Sequence, residues 1–327
     1  MAAGVDAVVA GAGGFIGGHL VGSLLAEGKT VRAVDIKPLD QWYQLHDQVE
    51  NVERDLADLA NCTEVVSGGA AEVYNLACNM GGMGFIENNK ALCMLSVLPS
   101  THMLMASKDA QAGRFLYSSS ACVYAGYKQT EANIAPLTED DAYPADAEDG
   151  YGWEKLFSER MCRHFREDFG LETRIARYHN IYGPDGTWDG GREKAPAATC
   201  RKIAVAALTG ETEVEIWGDG EQTRSFTYID DCVVGTKMLT RGEVAEPVNL
   251  GSSELTTIND LYYLVAEIAG IDIKLKHIDG PLGVRGRNSD NTLIQKYYGW
   301  EPSVSLREGI AKTYAWVYDR VKAKHNL

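Results

Sequence analysis

No apolar run in this 327-residue chain approaches the roughly 18 residues of a membrane-crossing helix, so no transmembrane helix is expected. Met1 to Asp6 lacks the basic stretch of a secretion leader and passes almost at once into a strand-like run, so no leader is expected either. Positive charge is scarce: 31 Lys and Arg face 46 Asp and Glu, a net charge of −15. That balance argues against nucleic acid or an anionic membrane as partner. Any anionic substrate must be held by a local cationic cluster working against the overall field. The seven cysteines are odd in number, scattered and without a Cys-x-x-Cys pair. They read as reduced thiols of a cytoplasmic protein, with neither a disulfide framework nor a metal site. Low-complexity tracts and internal repeats are lacking as well.

What is present is the composition of a soluble globular protein, 45% hydrophobic and 24% charged. The chain is long enough for one large or two modest domains. Val5 to Ala10 is a short apolar run, followed at once by Gly11-Ala12-Gly13-Gly14-Phe15-Ile16-Gly17 and then by a helical pattern from His19 to Glu27. Strand, glycine turn, helix is the context in which a glycine motif counts. Gly11 and Gly14 permit a tight turn and close approach to a pyrophosphate, and Gly17 lets the helix pack on the sheet. The helix amino terminus offers free N–H groups to the phosphates. A second strand over 30–34 ends in Asp35, about 20 residues on, where a carboxylate accepts from an adenosine ribose hydroxyl and repels a 2′-phosphate. NAD is thus favoured over NADP, with Lys37 the cation nearby. The alternative is a purely structural turn.

Further strands are expected over 51–55 and 72–77, alternating with helix-length segments, which predicts an α/β fold with a doubly wound parallel sheet. A glycine- and methionine-rich loop, 78–85, then lies at the carboxyl end of a strand, followed by a helix over 88–109. Phe115 to Tyr117 reads as a buried strand that ends in a serine cluster. If the chain stays extended there, Ser120 and Cys122 point to one side, where open α/β sheets bind ligands. The bland alternative is a polar loop with a buried cysteine. Tyr151 and Lys155, four apart, share a helix face. A phenol ordinarily titrates near ~10, and an adjacent ammonium together with a nicotinamide cation would lower it toward a working base. On an exposed helix the same pair means nothing.

The second half holds a strand over 172–177 and a turn-rich segment, 185–191. Pro196 places Lys194 just before a helix start. Arg192, Lys194, Lys202, Arg224, Arg285 and Arg287 form a set of cations suited to a diphosphate, the alternative being solvated surface charge.

Gly11-x-x-Gly14-x-x-Gly17, Asp35, Asn75-Leu76-Ala77, the strand-end Ser120 and Tyr151-x-x-x-Lys155 together resemble the extended short-chain dehydrogenase/reductases, the NAD-dependent epimerases and dehydratases of nucleotide sugars. Longer strings narrow the resemblance: Met80 to Phe85, Ser119 to Cys122, Tyr182 to Trp188, Gly190 to Ala198 and Gly283 to Asp290 are similar to the branch that inverts two ring carbons of a GDP-hexose. The resemblance implies a Rossmann sheet with a smaller carboxyl-terminal substrate domain. Residues 1–178, joined by 219–250, would bind NAD, and 179–218 with 251–327 the nucleotide sugar.

It implies that Gly11, Gly14, Phe15, Ile16, Gly17, Asp35, Asp55, Tyr151 and Lys155 hold NAD. The substrate, GDP-mannose or a related nucleotide sugar, would touch Gly81, Gly82, Met83, Ser120, Ala121, Cys122, Asn180, Glu193, Lys194, Ala195, Lys202, Gln222, Arg224, Arg285 and Arg287, with Arg287 on the diphosphate. Tyr151 and Lys155 would serve a redox step at C4. Cys122 and Lys194 would act as base and acid at C3 and C5, the thiol acidified by nearby cations and the amine by burial. No metal is implied. A homodimer would form through the helices around 88–109 and 151–168. The competing expectations are a nucleotide-sugar 4-epimerase and a non-catalytic NAD-binding sensor.

Overall fold

The computed structural model describes residues 4–325; the first three residues, part of the leader-free terminus inferred above, lie outside them. In chain order the first half runs β1 (Val5–Ala10), α1 (Phe15–Ala26), β2 (Val31–Asp35), β3 (Glu50–Glu53), α2 (Leu59–Val65) and β4 (Ala70–Asn75). It continues with α3 (Met83–Asn88), α4 (Lys90–Met94), α5 (Val97–Asp109), β5 (Arg114–Ser120), α6 (Asp149–Phe169) and β6 (Thr173–Tyr178). The second half begins β7 (Ile181–Tyr182), α7 (Ala195–Thr209), β8 (Glu213–Trp217), β9 (Thr223–Ser225), β10 (Thr227–Tyr228), α8 (Ile229–Arg241) and β11 (Pro247–Leu250). It closes with β12 (Leu255–Thr257), α9 (Ile258–Ala269), β13 (Lys274–Ile278), β14 (Gly286–Arg287), α10 (Thr292–Tyr298) and α11 (Leu306–His325).

Seven parallel strands form the central sheet in the order β11-β6-β5-β4-β1-β2-β3. The strand period of two splits the core cleanly. Ala7, Val9 and Leu116 face one apolar layer with Leu20 and Leu24 of α1 and Ile203 of α7. Val8, Ala10, Phe115 and Tyr117 face the other, with Met103 and Leu104 of α5 and Phe165 of α6. Both faces are covered, so the strands read as apolar runs and not as alternation. Beyond the sheet, β9 pairs antiparallel with β12 and parallel with β14, and β8 with β13, carrying Arg224 and Arg287 toward the carboxyl ends of the main strands.

Three local expectations are corrected. The helix expected over 88–109 is three pieces, because Asn89 leaves helical geometry and Pro99 has no N–H to give to the Leu95 carbonyl, which bonds Leu98 instead. The loop expected to run to Phe85 already turns helical at Met83. The chain does not stay extended after Ser120: Ala121–Val123 form one 3-10 turn, with the Ser120 Oγ accepting from the Cys122 N–H at 3.2 Å. The serine competes successfully for a backbone donor that an extended strand would have spent on a neighbour. Ser120 and Cys122 nevertheless line the same cavity.

Among the described residues no helix is long and apolar enough to cross a membrane, and no cluster of His, Cys, Asp and Glu is placed to hold a metal ion.

Candidate active site

Strand order reverses between β1 and β4, the place where open parallel sheets bind ligands beyond their carboxyl ends. Gly11 turns out of β1 at φ +86°, and a Cβ there would lie 2.8 Å from the Leu76 carbonyl carbon. A Cβ on Gly17 would lie 2.1 Å from the Gly11 oxygen. Helix α1 starts at Phe15 and Ile16 with no side-chain cap from Gly14 and no acid in its first turn, leaving its leading N–H groups for an anion. Asp35 ends β2, largely buried, accepting from the Lys37 N–H at 3.0 Å. The Lys37 ammonium is turned onto the Gly13 carbonyl (3.2 Å) and the Tyr43 ring (4.5 Å). Both amide atoms of buried Asn75, at the end of β4, find no protein partner. These features fit a dinucleotide. Asp55 lies just past β3, capping the Ala57 N–H at 2.9 Å.

Tyr151 stands one turn into α6 because that helix can approach so closely: a Cβ on Gly152 would meet the Cys122 carbonyl oxygen at 2.3 Å. The Lys155 ammonium donates to the Ser118 carbonyl (2.9 Å) and lies 5.6 Å from the Tyr151 ring centroid. Both side chains are buried. Burial, reinforced by Cys78, Cys122 and Glu154, pushes the Tyr151 phenol up, while a bond with Ser120 pulls it down. Burial opposes the Lys155 charge, but Cys78 and Glu154 outweigh it and the ammonium persists.

Opposite stands a second titratable pair. Lys194 is the residue before α7, its ammonium without an ion pair among the described residues. Burial, with Arg287 adding repulsion, holds that amine below its ordinary range, against the pull of Cys122 and Cys78. Cys122 was expected to be acidified by cations. Instead burial and the Glu148 carboxylate push the thiol up to about 11, over the opposing influence of Arg287. All three guanidinium nitrogens of Arg287 are engaged: Nε with the Gln129 Oε1 (2.7 Å), Nη1 with the Cys122 sulfur (3.5 Å) and Nη2 with the Glu148 Oε2 (2.8 Å).

One cavity, about 250 Å³, joins these groups. Gly81, Gly82, Met83, Ser120, Ala121, Cys122, Tyr151, Asn180, Glu193, Lys194, Ala195, Lys202, Gln222, Arg224 and Arg287 all line it. The 81–84 segment is stitched to the Lys194 segment by a bond from the Gly82 N–H to the Arg192 carbonyl (3.0 Å). Gln222 presents a buried Oε1 with no protein partner. Arg224 donates only to carbonyls, those of Thr223, Leu282 and Val284, and burial with Arg287 pulls it down to about 10. Lys202 donates to the Glu215 carbonyl at 2.6 Å, and Glu193 pairs with Arg201 at 2.8 Å. Arg285 is not among the lining residues; it is paired with Asp219 at 2.8 Å.

Sequence reasoning missed Glu148, Cys78, Trp217 and Tyr262. Glu148 lies three residues before Tyr151, the spacing of one helix face, which was the available signal. Cys78 comes close only through the fold, and nothing local announced it.

Residues 7–251 match the model of the NAD dependent epimerase/dehydratase family. The chain is 46% identical over 315 residues to GDP-mannose 3,5-epimerase 1 of Oryza sativa subsp. japonica, covering 96% of this chain and 82% of that one. Identity is again 46%, over 317 residues and with the same coverage, to GDP-mannose 3,5-epimerase of Arabidopsis thaliana. Among solved structures, UDP-glucose 4-epimerase of Thermotoga maritima with UDP-glucose superposes with a TM-score of 0.86 at 27% identity, over 96% of this chain and 99% of that one. The chain belongs to the NAD-dependent epimerase/dehydratase family, and its cofactor is NAD.

Proposed function

We propose that this family member is a GDP-mannose 3,5-epimerase. The observation that carries the reading is the second acid/base pair: Cys122 and Lys194 face the same cavity as Tyr151, whereas inversion at C4 alone needs no group beyond the tyrosine. The identity to the rice and Arabidopsis relatives of that name supports it. NAD, held by the Gly11–Gly17 turn, the start of α1, Asp35 and the Tyr151–Lys155 face, supplies when bound the reversible oxidation of the C4 alcohol to a ketone.

Tyr151 takes and returns the C4 hydroxyl proton, with Ser120 bonded to it and Lys155 holding a positive charge behind the ring. A carbonyl at C4 acidifies the hydrogens on C3 and C5, which are otherwise beyond any protein base. Each inversion then needs one group to remove a proton from one ring face and another to deliver one to the opposite face. Cys122 and Lys194 are that pair. Lys202 and Arg224 face the diphosphate, Arg224 being a buried cation with no carboxylate partner among the described residues. On this reading residues 1–178 with 219–250 carry NAD, and 179–218 with 251–327 the nucleotide sugar.

The chain works as a homodimer. Leu92, Met94, Leu95 and Leu98 of α4 and α5, with Trp153 and Phe157 of α6, leave large apolar area exposed on two packed helical segments, and a second copy covers it. All seven cysteines are free, which suits the cytoplasm.

The test is incubation of the NAD-loaded protein with GDP-mannose, followed by identification of the sugars released. GDP-L-galactose, with GDP-L-gulose, is expected. A product inverted only at C4 makes the protein a 4-epimerase, and unchanged GDP-mannose sinks the reading.

A further inference from the structure

Two opposite charges flank the Cys122 sulfur. The Arg287 Nη1 donates to it at 3.5 Å, and the same guanidinium holds the Glu148 carboxylate through Nη2 at 2.8 Å. Glu148 is itself clamped to the cysteine's backbone, its N–H donating to the Cys122 carbonyl at 2.9 Å. The Glu148–Arg287 pair is almost wholly buried, with side-chain exposures of 10% and 5%. Resting on the reading above, we propose that Glu148 is a positioning residue that cancels Arg287 at the sulfur and keeps the proton there, so that Cys122 enters each inversion as proton donor and Lys194 as acceptor.

The argument is one of sign. A guanidinium in contact with a thiol stabilises its thiolate, and a carboxylate on the far side of that guanidinium removes most of the effect. The other groups facing the sulfur are Ser120 from β5, Tyr151 from α6, Arg224 from β9 and Lys194 ahead of α7. Without Glu148, two buried arginines and a lysine would face the sulfur with no anion among them. Arg287 holds Glu148 ionised despite its burial, so the cancelling charge is present throughout the neutral range. The proton balance closes. Lys194 nitrogen takes the proton of the ring C–H, and the Cys122 S–H bond breaks to deliver its own to the opposite face. The resulting ammonium and thiolate recover when one proton returns from nitrogen to sulfur, directly or through water.

The test is iodoacetamide alkylation of Cys122 in the NAD-loaded protein, followed peptide by peptide against pH. In the native sequence the rate should climb about tenfold per pH unit up to about pH 10 without levelling, as a protonated thiol requires. Levelling below about pH 8.5, the ordinary thiol value, overturns the proposal without any variant having to fold. Glu148→Gln should bring the levelling point down by about one unit or more, a tenfold or greater gain in rate at neutral pH, and move the alkaline limb of kcat/KM the same way. Glu148→Asp should keep the native profile. A Glu148→Gln protein with an unchanged alkylation profile refutes the role. Alkylation reports the proton whatever the sugar, so it fails independently of the product analysis.

Discussion

Lys155 and Tyr151 meet on the inner face of α6, the ammonium 5.6 Å from the phenol ring centroid and tied to the Ser118 carbonyl at the end of β5. The lysine is held by the sheet, and so it fixes the tyrosine's position as well as its charge environment. Tyr151→Phe removes one oxygen and leaves the packing in place. Turnover of GDP-mannose should fall by about 10²–10⁴-fold, the usual worth of a positioned proton-transfer group. Differential scanning fluorimetry should show little change in Tm. A loss of less than tenfold would take Tyr151 out of the chemistry.

The sheet's stability rests partly on an ion pair remote from the cavity. The Arg177 Nε and Nη2 donate to the two Glu159 carboxylate oxygens at 2.8 and 2.7 Å, and the Ser119 hydroxyl adds a third bond at 2.5 Å. Both charges are buried. Removing one partner strands the other in the interior, so Glu159→Ala should cost about 3–5 kcal/mol in urea unfolding. A change below about 1 kcal/mol contradicts this.

His179 is buried as a neutral ring, donating from Nε2 to the Asn249 Oδ1 at 2.9 Å. Burial pulls it down to about 3; the Asn249 bond opposes this, and Arg287 and Arg177 add to it. A folded-state value below the unfolded ~6.5 means the contribution is fully present above pH ~6.5 and is lost as the pH falls toward about 3. His179→Leu should therefore narrow the stability difference from the native protein as the pH drops from 7 to about 4. A difference that stays constant across that range would falsify the assignment.

The backbone plan was legible because it depends on local chemistry. A glycine turn between Ala10 and Phe15 can be little else, and apolar runs of five or six residues separated by helical patterns leave few alternatives to a parallel sheet. Lys194 was placed at a helix start by Pro196 two residues on, and α7 begins at Ala195. What the sequence did not reveal depends on long-range approach. The turn at Ala121–Val123 is set by a serine hydroxyl capturing a backbone N–H, a choice that strand periodicity does not register. Glu148, Arg287 and Cys122 are drawn together from three separate segments, and only their assembly fixes the charge at the sulfur. Arg285, two residues from Arg287, points to Asp219 because side chains alternate along the short strand that carries them.

The central claim is that a ketone formed briefly at C4 lets one thiol and one amine invert its neighbours. Conversion of GDP-mannose in heavy water, read by NMR of the sugars formed, addresses it most directly. Product carrying deuterium at C3 and C5 and the original hydrogen at C4 is the predicted result. Product that is inverted but free of deuterium at both C3 and C5, or exchanged at C4 alone, contradicts it.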